Sequence, residues 1–168
     1  VISQLDDTKV AGGLVAGLDY QNPYLAPLEE LHRFKTHPEI RKTFEGGRRI
    51  AYGARSLIEG GLQSLPKLSF KGGVLVGDAA GFLNMPRIKG IHTAMKSAML
   101  AAEAVFPMLE NLEEVESFDS GKEAVDYQQR FEQSWLYQEL YAARNVRPSF
   151  KWGVYLGSIY TGIDQMIF

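Results

Sequence analysis

The alternation of apolar and polar positions favours short strands in the first half of the chain. Residues 9–18 form an apolar run with three glycines that ends at turn residues, which predicts a buried strand. Between Pro27 and Pro38 apolar residues recur at helical spacing, which predicts a short amphipathic helix. Alternation over residues 48–57 and an apolar segment over 62–68 predict further strands, so that two or three strands precede residue 74.

The second half of the chain favours helices. The apolar run Val74–Val76, bounded by glycines, predicts a central strand buried on both faces. An acidic linker over residues 110–116 separates two predicted helices, of which the second spans about 122–143 and carries Tyr127, Phe131 and Trp135 as core residues. The first helix shows an apolar stripe that comprises Ile91, Met95, Ala98, Ala102, Val105 and Leu109.

Composition narrows the function classes. The 168 residues are 45% hydrophobic with a net charge of -2 from interspersed signs, which predicts a globular chain and no nucleic-acid partner. There is no cysteine to ligate a cluster, and the spacing of the three histidines predicts no metal site. No catalytic side chain is assigned. The chain starts at Val1 in a strand-like run, and we therefore expect it to be a fragment of a larger protein.

The segment Gly77-Asp78-Ala79-Ala80-Gly81 carries the candidate chemistry. After a strand, a carboxylate can accept hydrogen bonds from ribityl or ribose hydroxyls, and small neighbours let a cofactor approach the backbone. A helix that begins near Gly90 offers unpaired N–H groups and a positive dipole end, which stabilise negative charge on a reduced flavin. The alternative is an ordinary strand-to-helix turn, because glycine and aspartate are common turn residues.

Together with Pro86 and Gly90 downstream, this segment resembles the second FAD motif of the flavoprotein hydroxylase and reductase superfamily. The predicted cofactor-binding residues are Gly77, Asp78, Ala79, Gly81, Pro86, Gly90, Ile91 and His92.

Longer strings resemble one family within that superfamily. GLDYQNPYLAPLEELHRFKTHPEI, EGGRRIAYGARSLIEGGLQSLPKLSFKGGVLVG, GFLNMPRIKGIHTAMKSAMLAAEAVF and LYAARNVRPSFKWG look like successive stretches of the electron transfer flavoprotein-ubiquinone oxidoreductase family. The resemblance implies an α/β (mixed α+β) fold. Residues 1–45 would be part of an antiparallel-sheet quinone or substrate domain, and 46–110 the C-terminal part of a Rossmann-like FAD/NAD(P)-binding half-domain. Residues 111–168 would be a helical extension with an aromatic tail that leads toward an iron-sulfur domain.

The same resemblance implies an electron-transferring-flavoprotein dehydrogenase with FAD, and an iron-sulfur cluster only in a part of the parent that this chain lacks. Its partners would be electron transfer flavoprotein, ubiquinone and one leaflet of a bacterial or mitochondrial inner membrane. Many family members carry cysteine where Asp78 stands, so the flavin contact differs in detail. The alternatives are a geranylgeranyl-reductase-like flavoprotein and an inactive truncated folding unit, and the isolated fragment is expected to be inactive.

The tail over residues 150–168 is rich in aromatic residues and glycine. Such side chains suit a membrane interface and also suit packing between domains, and the sequence supports both interpretations equally.

Overall fold

The computed structural model describes residues 1–110 and 122–167. It divides into two compact units, Val1–Ala54 and Arg55–Phe168, which combine helices with small antiparallel sheets. This mixture is consistent with the predicted α/β class. The predicted acidic linker lies outside the described residues, apart from its first position.

The first unit begins with an antiparallel hairpin of strands β1 (Ile2–Asp6) and β2 (Lys9–Gly12). The carboxylate of Asp6 orders the turn because it accepts the N–H of Thr8 at 2.8 Å. The prediction of a buried strand over residues 9–18 is wrong, since the strand ends at Gly12 and the apolar residues that follow are largely exposed. All residues of β1 are exposed, and in β2 only Gly12, which lies against the ring of Phe44, is partly covered.

The predicted helix after Pro27 is confirmed as α1 (Pro27–Thr36), and a second helix, α2 (Pro38–Phe44), follows directly. Both begin with proline, whose fixed φ suits the first helical position. His37 separates them and caps α2, where its Nδ1 accepts the N–H of Glu39 at 3.3 Å. Pro38 therefore ends one helix and starts the next.

The strands predicted over residues 48–57 and 62–68 are wrong. Residues 48–57 have no regular secondary structure and are exposed, and Leu62–Ser64 forms a single 3₁₀ turn. Instead, a small hairpin is made by β3 (Ser69–Phe70) and β4 (Gly73–Val74). Alternating polarity produces a strand only where a neighbouring backbone completes its hydrogen bonds, and residues 48–57 have no such neighbour within the described chain.

The run Val74–Val76 does not form the predicted central strand. Only Val74 belongs to β4, which pairs with β3 alone, and all three residues are half-buried. Leu75 extends the contact by donating its N–H to the carbonyl of Leu68 at 2.8 Å. The described residues contain no parallel neighbour that could cover a second edge.

The core of the second unit is built by helices α3 (Ile91–Glu110), α4 (Asp126–Glu132) and α5 (Trp135–Ala143). The prediction of α3 is confirmed, whereas the single helix over 122–143 is broken at Ser134, whose backbone is extended with ψ 160°. The buried apolar residues are Leu68, Ala80, Phe82, Leu100, Ala101, Ala104, Ala124, Tyr127, Phe131, Leu136 and Leu140.

The break at Ser134 corrects one predicted core residue. Tyr127 and Phe131 are buried as predicted, but Trp135 is 43% exposed. The extended backbone at Ser134 changes the rotational phase of the chain, so that residues before and after it no longer share one helical stripe.

Most of the predicted apolar stripe of α3 faces away from the core, and only Val105 of that stripe packs against it. Met95 is 63% exposed, whereas Thr93, Ser97 and Leu100 are buried. The hydroxyls can be buried because they donate to carbonyls of the preceding turn, Thr93 to Gly90 and Ser97 to Ala94, at 2.8 and 2.7 Å. The inward face of α3 therefore combines small hydroxyl-bearing residues with Leu100, Ala101 and Ala104, whereas most of the predicted stripe remains outside.

Helices α6 (Val146–Ser149) and α7 (Val154–Ile167) complete the second unit, and α7 has an inverted amphipathic pattern. Gly157 and Asp164 are buried, whereas the large apolar side chains of α7, such as Tyr155 and Met166, are exposed. None of the helices in the described parts of the chain has both the length and the hydropathy required to cross a membrane.

We expect Leu100→Ala to lower the free energy of unfolding by about 2–5 kcal/mol, because it leaves a cavity in the core. Met95→Ala, on the exposed face of the same helix, should cost less than about 1 kcal/mol. Urea denaturation of the 168-residue chain, followed by circular dichroism, measures both. A larger loss for Met95→Ala would mean that the predicted stripe is buried after all.

Candidate functional site

The 77–81 turn, residues Gly77 to Gly81, lies directly against the beginning of α3. Gly77 adopts φ 59°, and its N–H donates to the hydroxyl of Ser97 at 2.8 Å. A Cβ atom at this position would lie 3.2 Å from Cβ of Ala94. Glycine is therefore required both by the left-handed backbone and by the close approach of the helix.

The turn exposes Asp78 and Ala79 and buries its other three residues. The carbonyl of Gly77 accepts the N–H groups of Ala80 and Phe82, each at 3.2 Å, which closes the backbone on itself. Gly81 has φ 93° and is buried, whereas Asp78 and Ala79 are exposed. The predicted carboxylate therefore stands on a rigid turn with its side chain available to a ligand.

A second loop, the 84–92 segment, joins the core to α3. The backbones of Asn84 and Lys89 form an antiparallel bridge with N–H to carbonyl distances of 3.0 and 3.3 Å. Pro86 and Ile88 lie in the exposed part between them, and Ile88 adopts φ 52°. The bridge brings the chain back to Gly90, where the helix starts.

The amino-terminal end of α3 carries the last three predicted residues, Gly90, Ile91 and His92. The carbonyl of Gly90 accepts the N–H of Ala94 at 2.8 Å, as in the first turn of a helix. The N–H groups of the first helical residues, before Ala94, have no acceptor within the helix and are available to an anionic or polar group. Seven of the eight predicted residues thus lie in the 77–81 turn and at the helix end on which it packs, and Pro86 lies in the exposed loop between them.

Tyr127 of α4 packs beneath the segment that leads into the 77–81 turn. The sequence predicted it only as a core residue. Its hydroxyl donates to the carbonyl of Leu75 at 3.1 Å. Burial raises the pKa of Tyr127 to about 12, and a hydrogen bond with Ser97 offsets part of that rise. Ser97 and Tyr127 therefore form a polar support below Gly77 that sequence spacing alone does not reveal.

Glu139 of α5 supports the 84–92 segment and was also missed. Its carboxylate accepts from Nδ2 of Asn84 at 2.6 Å and from Nε2 of His92 at 2.9 Å. Burial alone would raise the pKa of Glu139, but the hydrogen bonds from His92 and Asn84, with the nearby charge of Arg87, hold it below its ordinary value. Glu139 lies 47 residues from His92 in sequence, and no local motif signals the contact.

The first unit carries a separate open groove of about 770 Å³ between α1, α2 and the segment after β2. Apolar side chains, including Leu14, Phe34 and Ile40, line it, and Arg33 and Glu39 are among its charged residues.

The residues of the 77–81 turn and the start of α3 fit the edge of an FAD molecule. An exposed carboxylate, small residues at 77, 79 and 81, and a helix amino terminus are the groups that a ribityl chain and a flavin pyrimidine edge require. Among the described residues no cluster of histidine, aspartate and glutamate side chains could hold a metal ion.

Comparison with known proteins decides the family. Residues 2–57 match the family model described as ETF-QO, ubiquinone-binding. The electron transfer flavoprotein-ubiquinone oxidoreductase of Rattus norvegicus is 58% identical over 160 residues, which are 94% of this chain and 26% of that protein. This chain belongs to the electron transfer flavoprotein-ubiquinone oxidoreductase family. The resemblance noted in the sequence is thereby confirmed.

More distant members of the family match equally well in extent. The probable enzyme of Saccharomyces cerevisiae is 54% identical over 96% of this chain and 28% of its own length. The probable enzyme of Acinetobacter baylyi is 45% identical over 97% of this chain and 31% of its own length. The chain thus spans about a quarter to a third of the curated relatives it matches. The predicted limits of the three domains and the predicted cofactor contacts remain predictions.

We expect Glu139→Gln to lower the free energy of unfolding by about 1 kcal/mol at neutral pH. Because the pKa of Glu139 is lower in the folded chain, its contribution is present above the ordinary value of 4.5 and is lost as the pH falls through the folded value. The difference between variant and wild type should therefore shrink in acid. Urea denaturation at a series of pH values measures it, with Glu132→Gln at an exposed position of α4 as the control. A difference that stays constant with pH would contradict the assignment.

Proposed function

We propose that this chain is part of an FAD-dependent oxidoreductase that transfers electrons from reduced electron transfer flavoprotein to membrane ubiquinone. The observation that carries the proposal is the 58% identity to an enzyme of that name across 94% of the chain. The family match over residues 2–57 supports a quinone-related role for the first unit.

The second unit would supply part of the FAD site within a Rossmann-like half-domain. FAD provides the redox chemistry, and the protein provides position and electrostatics. Asp78 would accept hydrogen bonds from cofactor hydroxyls, Gly77 and Gly81 would let the cofactor approach the backbone, and Gly90, Ile91 and His92 would offer it backbone N–H groups. The rest of the half-domain, including the dinucleotide turn, would come from other parts of the enzyme.

The cluster and the quinone would be handled by different parts of the enzyme. A cysteine-free segment has no thiolate for an iron-sulfur cluster, which therefore belongs to another part of the parent. For the quinone, the open groove of the first unit offers an apolar lining of Leu14, Phe34 and Ile40 beside charged residues. This lining suits a prenylated ring better than a fully polar substrate.

Helix α7 supports docking on one leaflet of a mitochondrial or bacterial inner membrane. At about 1.5 Å per residue its 14 residues extend about 21 Å, which is short of the roughly 30 Å hydrocarbon core. Its exposed face is nevertheless apolar and aromatic, which favours burial at the headgroup boundary. A quinone that resides in the bilayer requires its enzyme to be held at that surface.

The second enzymatic interpretation, a geranylgeranyl-reductase-like flavoprotein, has only the 77–81 turn in its favour. The identity to relatives named as quinone oxidoreductases extends over nearly the whole chain, including residues outside that turn. The electron-transfer function is therefore the one we propose.

We expect Asp78→Ala, made in a full-length enzyme that carries this segment, to raise the dissociation constant for FAD. The loss corresponds to about 1.5–3 kcal/mol, the range for hydrogen bonds to a charged group, or roughly 10- to 150-fold in affinity. Asp78→Asn keeps an acceptor without the charge, and its dissociation constant for FAD should lie between those of the wild type and Asp78→Ala. Titration of the apoenzyme with FAD, followed by flavin fluorescence, measures the three constants.

Asp126→Ala is the matched control for this series, because Asp126 is also exposed but lies on α4. It should leave FAD affinity unchanged. Equal affinities for wild type, Asp78→Ala and Asp126→Ala would remove Asp78 from the cofactor site.

We expect the double replacement Trp152→Ser and Tyr155→Ser to reduce co-sedimentation of the full-length enzyme with liposomes. Tyr155 is 88% exposed and Trp152 is also exposed, so both rings are available to the headgroup region. FAD content should not change, and Val125→Ser, at an exposed position before α4, should sediment as the wild type does. Undiminished sedimentation of the double variant would mean that α7 packs against protein instead.

A further inference from the structure

Helix α5 reaches the start of α3 with two side chains, Trp135 and Glu139. Their spacing of four residues places them on one face of the helix. The indole of Trp135 lies parallel to the ring of His92, with centroids 6.0 Å apart and 5° between the planes. Glu139 accepts from the Nε2 atom of the same ring at 2.9 Å. His92 is therefore held on its face and at one edge by a helix far away in sequence.

We propose that Glu139 is a positioning residue for the cofactor-facing end of α3. It fixes both ends of the 84–92 segment and so presents the backbone N–H groups of Gly90, Ile91 and His92 in one conformation. This inference rests on the proposed function, because the backbone N–H groups are presented to the flavin of that proposal.

The carboxylate of Glu139 joins the two ends of the segment through a single oxygen. Oε1 accepts from Asn84 at 2.6 Å and from His92 at 2.9 Å, and Nη1 of Arg87 lies 4.0 Å from it. Asn84 is also the residue whose backbone pairs with Lys89. Removal of this one side chain therefore removes the side-chain hydrogen bonds that tie both Asn84 and His92 to α5.

The contact also determines the tautomer of His92. Because a carboxylate can only accept, Nε2 of His92 must carry the proton in the neutral ring, and Nδ1 then carries none. Without Glu139 the neutral ring would exchange between both tautomers. The tautomer is thus a direct report of positioning, separate from the stability of the fold.

Burial makes the interaction strong. The Glu139 side chain is 17% exposed, so its charge depends on the donors around it rather than on water. His92 and Arg87 are more exposed than Glu139. The lowered pKa of Glu139 agrees with a carboxylate that is held ionised by these donors.

The first measurement follows the ring of His92 in the 168-residue chain. The two ¹⁵N shifts of the neutral imidazole report its tautomer. We expect Glu139→Leu to move both shifts toward their average, whereas Glu139→Gln, which keeps an acceptor, should retain most of the wild-type pattern. Glu103 lies on the same helix as His92, and its exposed carboxylate pairs with Arg130 of α4. Glu103→Gln removes this ion pair and should leave the shifts unchanged.

The second measurement is FAD affinity in a full-length enzyme that carries this segment. We expect Glu139→Leu to weaken FAD binding about tenfold or more, Glu139→Gln to weaken it a few-fold, and Glu103→Gln to leave it unchanged. If Glu139→Leu does not fold, Glu139→Gln decides the matter, and an unaltered FAD affinity in that variant overturns the proposal.

The outcomes separate this inference from the proposed function. Wild-type ring shifts in Glu139→Leu would show that Glu139 does not fix His92. Altered ring shifts with unaltered FAD affinity would show that the fixed ring has no bearing on the cofactor. If Asp78→Ala weakens FAD binding and neither Glu139 variant does, the flavin site stands and the positioning role is wrong. If none of these variants affects FAD, the flavin assignment itself fails.

Discussion

The contact between the backbone of Gly77 and the inner face of α3 is the constraint on which the second unit depends. The N–H of Gly77 donates a hydrogen bond to the hydroxyl of Ser97. A Cβ atom at position 77 would lie 3.2 Å from the Cβ atom of Ala94, so glycine suits this position best. A helix can approach a turn so closely only if its inner face is small, which explains why serine, threonine and alanine face the core of this helix. Large apolar residues near the amino-terminal end of α3, such as Ile91 and Met95, are consequently left on its outer side.

Sequence reasoning predicted helices better than strands or buried faces. The helices after Pro27 and Gly90 were correctly predicted, because proline and glycine mark their boundaries and helical spacing is a local property. The face that α3 buries could not be predicted, because small hydroxyl-bearing residues are buried only when their hydrogen bonds are satisfied in three dimensions. The predicted strands around residues 48–68 failed for a related reason, since a strand requires a partner that periodicity does not identify.

The candidate site likewise has a part that the sequence predicted and a part that it did not. The residues of the 77–81 turn and the helix start form one continuous motif, and the motif was visible in the sequence. The side chains that hold it, Ser97, Tyr127 and Glu139, come from three helices and contact it at separations of 20 to 55 residues. Their types are ordinary, and only the packing of the helices brings them together. Supporting residues of this kind become visible only in a folded chain.

The inverted pattern of α7 has a consequence for how this helix can vary among homologous sequences. Its inner side tolerates almost nothing, because a Cβ atom at Gly157 would lie 2.9 Å from the carbonyl oxygen of Ser149, and Asp164, 6% exposed, accepts from Asn145 at 2.9 Å. Its outer side imposes no comparable shape, so leucine, isoleucine, methionine and tyrosine can replace one another there at little cost. Substitutions along α7 should therefore differ between its two faces. The buried face with Gly157 and Asp164 should vary little, whereas residues on the exposed face should change identity but remain apolar.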